Sequence, residues 1–167
     1  VAKKRILIVE DMSDWQEQFR SVLRRTGYAV TTVPTYGEAL GELRQEEYHL
    51  VIVDLRLSLT DENNRDGVKL LEDLKKLQIP SIVVTGYGTN ELARQAIEEY
   101  QVFSFMGKDT LDLKKLRQKI KEAFKRIEGR EKELRELRYR FLMGEAVGFP
   151  ETAIGWSLRE SQEKYEE

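Results

Sequence analysis

The sequence predicts a doubly wound α/β domain, in which a five-stranded parallel sheet of order 2-1-3-4-5 carries helices on both faces and an extended last helix. Three observations lead there. Short aliphatic runs rich in Val and Ile recur at Ile6–Val9, Leu50–Val53 and Ser81–Thr85, as strands buried on both faces require. Segments with apolar residues at helical spacing separate them. Each run ends in polar side chains, Glu10-Asp11, Asp54 and Thr85, where a parallel sheet meets solvent at its carboxyl edge.

The elements follow in order. Ile6–Val9 is the first strand, and Ser13 is expected to cap a helix in which Trp15, Phe19, Val22 and Leu23 recur until Gly27. Tyr28–Val33 is a strand closed by Pro34, and Ala39, Leu40 and Leu43 mark a helix over 35–46. The third strand runs from His49 to Asp54, with His49 at its start, away from the carboxylates, in a structural role. Residues 55–66 form a long polar loop, after which Val68, Leu70, Leu71, Leu74 and Leu77 define a helix. Ser81–Thr85 leads through Gly86-Tyr87-Gly88 to a helix over 90–100, and Val102–Met106 is the last strand, ending in Gly107-Lys108.

Composition narrows the function. With 28 Lys and Arg against 30 Asp and Glu, the net charge of -2 gives no general attraction to nucleic acid or anionic membrane. The absence of cysteine removes disulfides, thiolate metal sites and thiol nucleophiles, and fits a reducing cytoplasm. A single His cannot build a histidine metal cage. No apolar run approaches the roughly 18 residues of a membrane span, so the chain reads as soluble and cytoplasmic. It starts at Val1 rather than Met, as a processed or trimmed polypeptide would.

In the 2-1-3-4-5 order the first and third strands are neighbours, which brings Glu10, Asp11 and Asp54 together, with Thr85 and Lys108 arriving at the same edge. Three carboxylates at close range repel unless one is protonated or a cation sits among them. Oxygen-only donors select a hard ion such as magnesium, which prefers to share phosphate oxygens. Lys108 can neutralise a phosphoryl oxygen, the Thr85 hydroxyl can donate to another, and the central Asp54 is placed as nucleophile.

Ile8-Val9-Glu10-Asp11, Val53-Asp54-Leu55, Val84-Thr85-Gly86 and Phe105 three residues before Lys108 together resemble the receiver domain of bacterial two-component response regulators, over about residues 3–125. The resemblance implies the flavodoxin-like fold of that family and a phosphoacceptor at Asp54, charged by a sensor histidine kinase or phosphotransfer protein. It implies magnesium held by Glu10, Asp11, Asp54 and the backbone carbonyl of Arg56, phosphoryl oxygens held by Thr85 and Lys108, and a conformational switch through Thr85 and Phe105. On this reading the chain catalyses only its own phosphorylation and dephosphorylation. It departs from the family in three ways: Asp109 stands where Pro usually follows the Lys, 13 positions separate Asp54 from Gly67, and Arg56 and Tyr87 are bulky flanks that would screen the acceptor from water.

Two other readings compete. A phosphatase of the haloacid dehalogenase type needs a second Asp two residues after the nucleophile, where Arg56 stands. A docking module that never takes phosphate would not need the complete set of side chains. Gly86-Tyr87-Gly88 lacks both the third glycine and the first-strand position of a dinucleotide fingerprint.

The sequence divides into a receiver over 1–125 and a helical extension over 126–167. A seven-residue repeat runs Leu113, Ile120, Ile127, Leu134, Phe141, with Leu116, Ala123, Arg130 and Leu137 as companions, and predicts a coiled coil and a homodimer. A short helix with Ile154, Trp156 and Leu158 is expected after Pro150. No helix-turn-helix, nucleotide-cyclase or metal-hydrolase signature is found in the extension, and no direct nucleic-acid contact is evident.

Overall fold

The computed structural model describes residues 3–58, 60, 61 and 63–142. The expected helix after Pro150 lies outside these residues. The elements are β1 (Arg5–Val9), α1 (Ser13–Leu23), β2 (Ala29–Val33), α2 (Tyr36–Gln45), β3 (Leu50–Val53), α3 (Asp66–Leu77), β4 (Ser81–Thr85), α4 (Asn90–Glu98), β5 (Ser104–Gly107) and α5 (Leu113–Leu142). All neighbouring strands pair in parallel in the order β2-β1-β3-β4-β5, as the sequence predicts.

Alternation along the central strands builds two cores. Leu7, Val9, Val51, Val53 and Val83 face one way and meet Ala39, Leu43, Leu70, Leu71, Leu74 and Ala96 of α2, α3 and α4. Ile6, Ile8, Leu50, Ile52, Ile82 and Val84 face the other way and meet Phe19 and Leu23 of α1 and Leu116, Ile120, Ala123 and Phe124 of α5. Each fully buried aliphatic side chain contributes about 2 kcal/mol, so the three central strands anchor the domain.

Some details differ from expectation. Ser13 is the first helical residue of α1 rather than its cap: Met12 holds the cap position with no side-chain cap bond, and its amide donates instead to Glu10 Oε1 at 3.0 Å. The last ladder begins at Ser104, because the Val102 amide is still bonded to the Ala96 carbonyl beyond α4 and Gln101 takes a left-handed φ of 54°. Finally, Leu116, Ile120 and Ala123 of the seven-residue repeat are buried in the domain's own core. α5 runs through residue 125 without a break, Ile127 still packs on that core, and Glu131 forms an ion pair with Lys4 at 3.0 Å.

Candidate functional site

β1 and β3 pair in register from Ile6↔Leu50 to Val9↔Val53, so Glu10 and Asp54 leave the sheet side by side. Backbone bonds extend this pairing past the strands: the Glu10 amide donates to Val33 O and the Asp54 amide to Val9 O, both at 3.0 Å. Carboxylate oxygens of Glu10, Asp11 and Asp54 lie within 4.8 Å of one another. β5 delivers the counter-charge, because the Lys108 amide bonds to Thr85 O at 2.9 Å and fixes where the side chain starts.

The Lys108 ammonium stands 2.7 Å from Glu10 Oε2 and 2.9 Å from Asp54 Oδ2, and its side chain is only 10% exposed. The other Asp54 oxygen, Oδ1, accepts the Arg56 amide at 3.3 Å. Burial pushes Glu10 up to about 7, against the pull of Lys108 and the Met12 amide, and the Asp54 charge adds to the rise. Burial would lower Lys108, but the bonds and charges of Glu10 and Asp54 outweigh it and raise the ammonium. Three carboxylates gathered this closely, all offering oxygen, fit a hard divalent cation.

Asp11, Met12, Asp54, Arg56, Gly86, Tyr87 and Lys108 line a pocket of about 210 Å³ over these groups. Thr85 does not line it. Its side chain is fully buried and its hydroxyl accepts the Tyr87 amide at 3.2 Å. Phe105 is partly buried against the α2–α4 core. It also approaches Gly88 so closely that a β-carbon there would meet its ring at 2.9 Å. His49 lies at the start of β3, where its Nδ1 accepts the Arg5 amide at 3.0 Å, far along the strand from the carboxylates.

In the long loop after β3, Asn64 ties the two ends together. Asn64 Oδ1 accepts the amides of Leu57 and Asp66, both at 3.2 Å, while Leu55 and Leu57 are buried beneath. At the loop's end Gly67 presses on the Asp54 backbone, where a β-carbon would come 2.3 Å from Asp54 O. Sequence reasoning missed one neighbour of the site. Trp15, read as a core residue of α1, has its ring centroid 5.0 Å from the Lys108 ammonium.

A parallel sheet of this order, with an acidic cluster and a lysine at its carboxyl edge, defines the receiver class of signalling domain. The chain belongs to the response regulator receiver domain family, which it matches over residues 6–121. The transcriptional regulatory protein ZraR of Escherichia coli (strain K12) is 30% identical over 95 residues, 56% of this chain and 20% of that protein. An uncharacterized 14.6 kDa protein of Leptolyngbya boryana is 30% identical over 130 residues, 74% of this chain and 95% of that protein. A CheY-like response regulator receiver domain protein from Methanospirillum hungatei JF-1 superposes with a TM-score of 0.66 at 30% identity, covering 79% of this chain and 99% of that one. The signal receiver domain of a putative Luxo repressor protein from Vibrio parahaemolyticus shares the fold, with a TM-score of 0.69 at 21% identity over 78% of this chain and 96% of that one. The match thus spans about a fifth of the length of ZraR. No described helix is long and apolar enough to cross a membrane.

Proposed function

We infer that Asp54 accepts a phosphoryl group from a phosphohistidine of a sensor histidine kinase or phosphotransfer protein. The observation that carries this reading is the seat of Lys108, 2.9 Å from an Asp54 oxygen within a cluster of three carboxylates. An Asp54 carboxylate oxygen forms the new P–O bond, the P–N bond to the donor imidazole breaks, and the leaving ring takes up a proton. Glu10, Asp11, Asp54 and the Arg56 carbonyl would hold Mg²⁺, which when bound neutralises charge on the transferring group. Lys108 supplies a second positive charge to the phosphoryl oxygens, and Thr85 leaves the Tyr87 amide to donate its hydroxyl to them. That movement frees space beside Phe105, which turns with it as the switch. Attack of water at phosphorus returns Asp54, so the chain catalyses only its own phosphorylation and dephosphorylation.

We read the domain as a cytoplasmic component that passes its state to the helical extension, with no direct nucleic-acid contact. Because Leu116, Ile120 and Ala123 of the repeat serve the domain core, a homodimer seam would begin beyond Ile127. Incubation with acetyl phosphate and Mg²⁺ is expected to add one phosphate to the full chain and none to Asp54→Ala. Equal labelling of the two proteins rejects the assignment. No label on either favours a docking module, and steady phosphate release from many esters favours a phosphatase.

A further inference from the structure

The ammonium of Lys108 has three neighbours of opposite or complementary charge, and they are not equivalent. Two are the carboxylates of Glu10 and Asp54, at 2.7 and 2.9 Å. The third is the indole of Trp15, whose centroid lies 5.0 Å away, within the range where an aromatic face attracts a cation, Trp most strongly of the three aromatics. A cation held by the cluster would engage the same carboxylate oxygens and repel the ammonium. Among these neighbours only the indole would then keep its hold.

The indole is itself fixed. Trp15 lies in the first turn of α1, packs against the α1–α5 core and stacks at a tilt on Phe19, with ring centroids 5.8 Å apart. The start of the helix is tied to the site's backbone by Gln16, whose side-chain amide donates to Glu10 O at 2.6 Å. On the other side the Lys108 stem runs beside Gly86, where a β-carbon would sit 3.9 Å from its Cδ. A lysine carries a compact charge on four flexible carbons, so without such walls it would stray into water once its carboxylate partners were taken.

We propose that Trp15 is a positioning residue for the phosphoryl transfer: its indole face keeps the Lys108 ammonium over Asp54 when the carboxylates turn to other partners. The proposal rests on the phosphoacceptor reading of Asp54. Trp15 touches no reacting atom and acts through Lys108.

The test is a double-mutant cycle on the full chain, read as the rate of labelling by acetyl phosphate at saturating Mg²⁺. Trp15→Leu keeps an apolar side chain without an aromatic face and is expected to slow labelling about fivefold, while Trp15→Phe recovers at least half of the rate. In a Lys108→Met background Trp15→Leu is expected to have no further effect, because the charge it serves is gone. An equal fractional loss in both backgrounds, or no loss in either, overturns the proposal. If the wild type takes no label, the Asp54 reading fails by itself. The contact is then judged by urea unfolding of the same four proteins, where additive changes from Trp15→Leu and Lys108→Met overturn it and coupled changes support it.

Discussion

The Arg56 guanidinium sits over the Tyr87 ring, its central carbon 3.5 Å from the centroid. The pair joins the residue two beyond Asp54 to the residue two beyond Thr85, and both line the pocket over Asp54. Among the described residues Arg56 Nε has no hydrogen-bond partner, and the guanidinium rests on the Tyr87 ring. Tyr87 is 48% exposed and forms the outer layer.

Such a cover would obstruct water in line with a phosphoryl group on Asp54. Replacing both residues with Ala is expected to shorten the half-life of the phosphorylated form by about tenfold, the effect of roughly 1.4 kcal/mol of barrier. Loss of label in the same buffer measures it, and an unchanged or longer half-life rejects the shielding.

Glu10 gives the domain a pH signature. Its carboxyl is raised from 4.5 to about 7 on folding, chiefly by burial, so the folded state binds the proton more tightly than the unfolded state. The resulting stabilisation is complete below about pH 4.5 and is lost as the pH rises through about 7. Without divalent cations, the wild type is expected to lose on the order of 1 to 2 kcal/mol relative to Glu10→Gln across that window, a value discounted because the pocket admits water. Millimolar Mg²⁺ should flatten the difference. Burial depresses His49, but it titrates in both proteins and cancels. Parallel unfolding curves across the window would remove Glu10 as the cause.

Gly67 is the glycine where an added methyl would press hardest on the Asp54 backbone. An added β-carbon would meet Asp54 O at 2.3 Å and the Leu55 Cα at 2.4 Å, and backbone atoms cannot turn aside as a side chain can. Gly67→Ala is expected to cost about 2 to 3 kcal/mol in urea unfolding and to reduce labelling of Asp54. A variant as stable and as readily labelled as the wild type contradicts that contact.

For the extension, sedimentation compares the full chain with a version ending at residue 133, which retains Ile127 and the Glu131 contact with Lys4. A dimer in the full chain alone, at tens of micromolar, is expected from a seam beyond Ile127. Monomers in both, with and without phosphorylation, dismiss the homodimer.

Strand order and the acidic edge were legible because they depend on local pattern. Leu50–Val53 can be continuously apolar only if both faces are covered, and Asp54 then falls where cover ends. Other features were decided by distant parts of the chain. Ser13 has the composition of a cap, yet the demand of the Glu10 carboxylate for the Met12 amide sets the start of α1. Over a few turns, a seven-residue repeat and an ordinary amphipathic stripe look alike, so Leu116, Ile120 and Ala123 fitted a seam while belonging to the core. Glu131 reaches Lys4, 127 positions away, which no local spacing announces. Trp15 gave no sign of its position beside Lys108, because only the packing of α1 against the sheet brings them together.

α5 begins five residues beyond Lys108, at the end of the domain that holds the acidic cluster. Its residues Arg130 and Glu131 touch Gln78 and Lys4, which precede β4 and β1 at the opposite end. From Leu113 to Glu131 that is a rod of about 27 Å at 1.5 Å per residue. A continuous helix bends little over that length, so a small tilt at its head becomes a sideways sweep at its foot. α5 therefore joins the two ends of the domain in one rigid piece, and residues 132–142 continue it beyond Glu131.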